Sequence, residues 1–177
     1  LQMTMLLSLG LLVLRVVVGL TLAGHGAQKL FGWWGGSGLK GWTQAMTRLR
    51  IRPAVPFAWL SALAELGGGL LLALGFLSPL GSLAIIGTML VAIATVHWPN
   101  GFWAANRGFE FNLTLIAGAV AVGLTGPGTY SIDQAIGFRA PEPLTLLVGA
   151  IAVILGVAGM LAFRSPKPAV QSKPQTT

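Results

Sequence analysis

Six ionisable side chains interrupt the long apolar stretches of this 177-residue chain: Arg15, His25, Lys29, Glu65, His97 and Glu110. A charge at the bilayer centre costs about 2.5 to 3.5 kcal/mol on insertion scales, so each needs a partner or a wet cavity. Arg15 and Glu65 each lie ten residues into an apolar run, at about 15 Å from opposite sides, and this predicts a structural ion pair between consecutive helices. The stripes that carry them agree. Arg15, Gly19, Gly26 and Lys29 share one face, and Ala58, Ser61, Ala62, Glu65, Gly68 and Gly69 share another, small enough for two backbones to approach closely.

His25 and Lys29 are four residues apart and therefore neighbours on a helix. "VHWPN" ends the third apolar run with His97, and "FEFN" begins the fourth with Glu110 and Asn112, so the topology predicts that His25, Lys29, His97, Arg107, Glu110 and Asn112 meet at one membrane level. Donors, a group titrating near neutral pH and adjacent aromatic rings are what a quinone head requires. Haem ligation by the two histidines is disfavoured, because one histidine on each of two helices adds no specificity, and a zinc site lacks a closed set of ligands. No residue set reads as catalytic or metal-binding. The chain has no cysteine, which removes dithiol relays, thiolate-held clusters and covalent haem attachment. Any redox role must be borrowed from a quinone, a haem or a partner.

The elements that position these residues are membrane helices. Hydrophobic residues make up 54% of the chain and charged ones 8%, and the mean hydropathy is +0.79, well outside the soluble range. Spans are expected at Met5 to Lys29, Val55 to Leu77, Leu80 to Trp98, Phe109 to Leu124 and Leu144 to Phe163, the fourth being the shortest. They lack the alternation of barrel strands, so helices are the only way to satisfy the backbone in lipid. The first run has no basic segment before it and ends in bulky aromatics, which reads as a retained helix and not a cleaved signal.

Basic residues outside the spans fall on one side: Lys40, Arg48, Arg50, Arg52, Arg107, Arg164, Lys167 and Lys173, against Arg139 alone. This predicts an outside N-terminus and a cytoplasmic C-terminus, and explains the net charge of +7 by topology, without nucleic acid. Between the first two spans, Leu39, Trp42, Met46 and Leu49 recur at helical spacing among basic residues, the pattern of an amphipathic helix with its apolar side in the acyl boundary. Beyond the fourth span, Ser131 and Gln134 have capping-box spacing, and Asp133 suits the dipole of the same short helix.

"LRVVVGLTLAGHGAQKLFG" resembles the first helix of the DoxX family of small bacterial and archaeal membrane proteins. "AELGGGLLLALGFLSPLGSLAI" is similar to its second and third helices, "ATVHWPNGFW" to the end of the third, and "FEFNLTL" with "GPGTYSID" to its fourth. The resemblance runs from about Leu12 to Ile136 and implies a four-helix transmembrane bundle with Arg15, His25, Lys29, Glu65, His97 and Glu110 at its polar positions. Relatives are associated with a thiosulfate:quinone oxidoreductase subunit and with membrane redox complexes, which favours the quinone reading.

The expected architecture is thus an all-α integral membrane protein. It comprises a DoxX-like bundle over 1–136, an extra transmembrane helix within 137–163 and a disordered basic tail over 164–177. Gly149, Gly156 and Gly159 give the added span a packing stripe. The function expected is an accessory, non-catalytic subunit of an electron-transfer complex in the cytoplasmic membrane, contacting quinone. If it were catalytic, it would be part of a quinone-linked oxidoreductase. The alternative is a purely structural subunit of a larger complex. A small transporter or proton path is weaker, because the chain has no inverted repeat. Lipids and other membrane subunits are the expected partners.

Overall fold

The computed structural model describes residues 2–164, so the tail expected over 164–177 lies outside the described residues except for Arg164, which is held in place by Leu49 O. Among the described residues there are seven α-helices: α1 (Gln2–Phe31), α2 (Gly38–Arg48), α3 (Ala54–Leu74), α4 (Ser78–Ala92), α5 (Glu110–Thr125), α6 (Ile132–Ile136) and α7 (Leu144–Ala162). No strand occurs among them. Helix α4 runs on through a π-helical turn, Ile93–His97, and a tight turn at Trp98–Asn100. Four helical segments are long and apolar enough to cross a membrane: Thr4–Phe31, Ala54–Leu74, Ser78–Asn100 and Leu144–Ala162. Helix α5, with 16 residues, spans about 24 Å.

Local chemistry sets the helix ends. The second span stops at Leu74, three residues before its expected end, because Gly75 takes a left-handed conformation (φ 63°). Its N–H reaches Leu72 O at 3.0 Å, and Phe76 N–H reaches Leu71 O at 2.9 Å, the Schellman pattern. Helix α4 begins at Ser78, two residues early, because the buried Asp133 caps it. One carboxylate oxygen accepts from Leu77 N (2.8 Å), and the other from Ser78 N (3.0 Å) and Ser78 Oγ (2.7 Å). Asp133 lies in the first turn of its own short helix, as its position predicts, and its carboxylate also caps the N-terminus of a neighbouring one. Ser131 Oγ accepts the Gln134 N–H at 3.2 Å and caps α6.

The most extensive interhelical contact joins α1 to α3. A Cβ on Gly19 would stand 2.6 Å from Ala73 N, and one on Gly26 would stand 2.7 Å from Leu66 Cα, so only glycine permits this approach. In lipid, where apolar side chains gain little by leaving the solvent, such close packing is what holds helices together. Leu22, Leu72, Ile85, Met89, Val122 and Leu146 bring α1, α3, α4, α5 and α7 into one core.

That register overturns the expected Arg15–Glu65 pair. Gly19 lies against Gly69 and Ala73, which places Arg15 beside the end of α3, and Ala73 is eight residues, or about 12 Å, beyond Glu65. Arg15 is 1% exposed and donates through Nη1 to Ala73 O (3.1 Å) and through Nη2 to Tyr130 O. A cation at a helix C-terminus answers both the free carbonyls and the dipole. Glu65 pairs with Lys29 instead.

Helix α2 forms over almost the expected residues, but its apolar side turns towards the protein. Met46 and Ile51 are buried with Ala58 of α3, and Leu39, Trp42, Leu49 and Met160 of α7 pack around them. Arg164, past the end of α7, donates to Leu49 O at 2.8 and 3.2 Å and pins the last helix to this corner.

Asp133→Ala leaves three donors at the start of α4 unpaired, and is expected to cost about 2 to 4 kcal/mol. Asp133→Asn, which keeps one acceptor, should recover part of this. Thermal unfolding in mild detergent measures both, and an unchanged alanine variant would refute the cap.

Candidate functional site

Lys29, near the end of α1, forms a salt bridge with Glu65 Oε1, midway along α3. Glu65 is 2% exposed, while the Lys29 side chain keeps 20% of its surface open. The ammonium also stands 4.2 Å from the centre of the Trp42 ring, within cation–π range. Trp42 Nε1 in turn donates to Ser61 Oγ at 2.9 Å, and Ser61 Oγ to Ala58 O at 3.2 Å. Four side chains from α1, α2 and α3 thus make one polar corner. The second Glu65 oxygen is buried without a hydrogen-bond partner.

This corner lines one end of a cavity of about 410 Å³. Helix α4 is its back wall, with Ala84, Gly87 and Val91, and the π-helical turn adds Thr95 and Val96. Leu60 of α3 forms one lip, and Val153, Gly156 and Val157 of α7 the other. Its threonines add little free polarity, because Thr88 Oγ1 donates to Ala84 O (3.0 Å) and Thr95 Oγ1 to Val91 O (2.7 Å) on their own helix. The result is an apolar groove, polar at one end, between two helices whose outer residues Leu63 and Ile154 are exposed at bilayer depth. Its size and its few placed polar groups suit a small amphiphile.

The polar cluster expected at this membrane level divides instead into separate places. His25 is exposed and turns towards α5, its ring 5.9 Å from that of Phe111. His97 Nδ1 lies 2.7 Å from Arg107 O, and Asn100 Nδ2 donates to the same carbonyl at 3.3 Å. Glu110 accepts from Ala104 N at 2.8 Å. These contacts order the α4–α5 connection. Asn112 is buried between α5 and α4, donating to Met89 Sδ at 3.3 Å, with its carbonyl oxygen unpartnered. The physical reason is angular: four residues turn a helix through about 400°, and the 40° left over sends His25 to one neighbour of α1 and Lys29 to another. Among the described residues, no three His, Cys, Asp or Glu side chains are grouped to hold a metal.

Sequence reasoning missed Trp42 and Ser61 as members of the site, although a small polar residue four positions before Glu65 on the same face was a signal for Ser61. The glycine stripe of α7 also reads differently. Gly149 packs on Leu83, whereas Gly156 lines the groove and Gly159 has no atom within 4 Å of a built Cβ.

A helical membrane bundle with a one-ended polar groove defines the class, and comparison with known proteins defines the family. The DoxX profile matches residues 10–98, which hold Arg15, Lys29, Trp42, Ser61, Glu65 and the back wall of the groove. The chain is 30% identical over 129 residues to the inner membrane protein YqjF of Escherichia coli (strain K12), covering 72% of this chain and 92% of that one. This chain belongs to the DoxX family. No solved structure matches it.

Glu65→Ala should destabilise the protein by about 2 to 4 kcal/mol, because it leaves the Lys29 charge without its partner. Glu110→Ala, which removes one hydrogen bond from an exposed loop, should cost no more than about 1 kcal/mol. The double change of Lys29→Met with Glu65→Leu should recover most of the first loss. Detergent melting curves for the variants decide this, and equal losses for the two glutamates would contradict the buried pair.

Proposed function

We propose that the chain is a non-catalytic accessory subunit of an electron-transfer assembly in the cytoplasmic membrane, and that it holds a quinone head in the groove between α3, α4 and α7. The observation that carries this reading is the groove's polarity: an apolar slot for a ring, exposed lips for an isoprenoid chain, and a lysine ammonium in the lining to donate to a carbonyl. The absence of cysteine supports a role without its own electron carrier. The name of the relative from E. coli supports the inner membrane as its location. The basic residues on α2, the α4–α5 connection and the end of α7 support an outside N-terminus. A purely structural role has one observation in its favour, the exposed outer face of α7 with Leu147, Ile151 and Leu155, which suits docking to another subunit.

Purification without crosslinker, followed by solvent extraction, tests the reading. Quinone should be recovered in near-stoichiometric amount from the wild type. Gly156→Phe fills the groove from a position with no atom within 4 Å of its Cβ, and should lower the recovery at least about tenfold with little change in melting temperature. Partners recovered without quinone from the wild type would favour the structural role.

A further inference from the structure

The polar end of the groove offers both halves of a hydrogen-bonding pair. Lys29 has three donors, and Glu65 holds one oxygen against Lys29 and leaves the other, in a side chain 2% exposed, without any donor. A buried charged acceptor left unmade is costly. The remaining polar groups of the groove do not relieve it. Trp42 N–H is given to Ser61, Ser61 O–H to Ala58, and the hydroxyls of Thr88 and Thr95 to their own helix. A ligand in the groove can supply that donor, and the terminal torsion of a glutamate is soft enough to turn the free oxygen towards it.

Oxidised and reduced quinones differ in this property. The quinone carbonyls only accept, so one of them can accept a hydrogen bond from Lys29 Nζ while its lone pairs repel the second carboxylate oxygen. A quinol carries aromatic hydroxyls, each able to donate and accept, and one of them can satisfy Glu65 while receiving from Lys29. We infer that the groove prefers the reduced form, an aromatic para-diol with an apolar chain, over the corresponding quinone. The inference rests on the quinone reading above and adds a sign to it: the protein holds the electron-rich partner of the couple, as a subunit that retains or delivers quinol would.

The test is equilibrium binding to the full chain in lipid nanodiscs at pH 7 under anaerobic conditions, with three probes. These are a decyl-substituted 1,4-benzoquinol, its benzoquinone, and the dimethyl ether of the quinol, which keeps the shape and loses the donors. The quinol is expected to bind at least about tenfold more tightly than either of the others, as a hydrogen bond to a charged acceptor implies. Glu65→Gln, which supplies a donor in the same shape, should bring quinol and quinone to within about threefold of each other. Where that variant does not fold, the three probes on the wild type decide alone. Quinone or diether bound as tightly as quinol overturns the preference and leaves the quinone site standing. Binding of none of the three overturns both.

Discussion

Glu65 sits twelve residues along α3, only 2% exposed, and Lys29 reaches it because α1 and α3 meet at backbone distance. The glycines at 19 and 26 permit that approach, the approach fixes the register, and the register decides which charges face each other. A buried pair of this kind adds little net stability over an apolar one, since desolvation offsets most of the attraction. What it adds is specificity. It draws Trp42 and with it α2 onto the bundle, so that a helix with the composition of a membrane-surface element becomes the floor of a groove.

The far end of the bundle is held by a different logic. Arg15 and Asp133 do not pair with one another's helices through opposite charges but answer backbone termini, the arginine at the carbonyls ending α3 and the aspartate at the amides beginning α4. Both are groups that lipid would leave unsatisfied, and both tie the α3–α4 turn to the 126–136 segment. With that end fixed and the other built round Lys29 and Glu65, the open region lies between α3 and α7. Helix α7 packs along α4 and reaches the α2 corner only near its end, through Met160 and Arg164.

Much of this was legible in the residues. Apolar length gave the helices, glycine and proline gave their ends to within a few positions, and small-residue stripes identified the faces of α1 and α3 that meet. The pairing of Arg15 with Glu65 was not recoverable, because counting residues from each apparent helix start measures depth only if both helices start at the same plane. Helix α1 has 30 residues against 21 in α3 and overhangs its end, so Arg15 stands beside Ala73, in the last turn of α3. The predicted cluster failed for a related reason. Topology predicts a membrane level, but azimuth is set by neighbours, and His25 faces Phe111 of α5 while His97 faces its own loop. Nor could a sequence show that α7 stands away from α3, which is what leaves room for a ligand.

The central claim is a location: a quinone head would enter between α3 and α7 and stop at Lys29 and Glu65, away from the histidines. Photolabelling with an azidoquinone in native membranes, followed by mass-spectrometric mapping of the labelled peptides, tests that location most directly. The account predicts adducts on α3 near Leu60, on α4 near Val91 and on α7 near Val157, displaced by an unlabelled quinone. Label concentrated on the His25 and Phe111 face, or on the connection carrying His97, would contradict it.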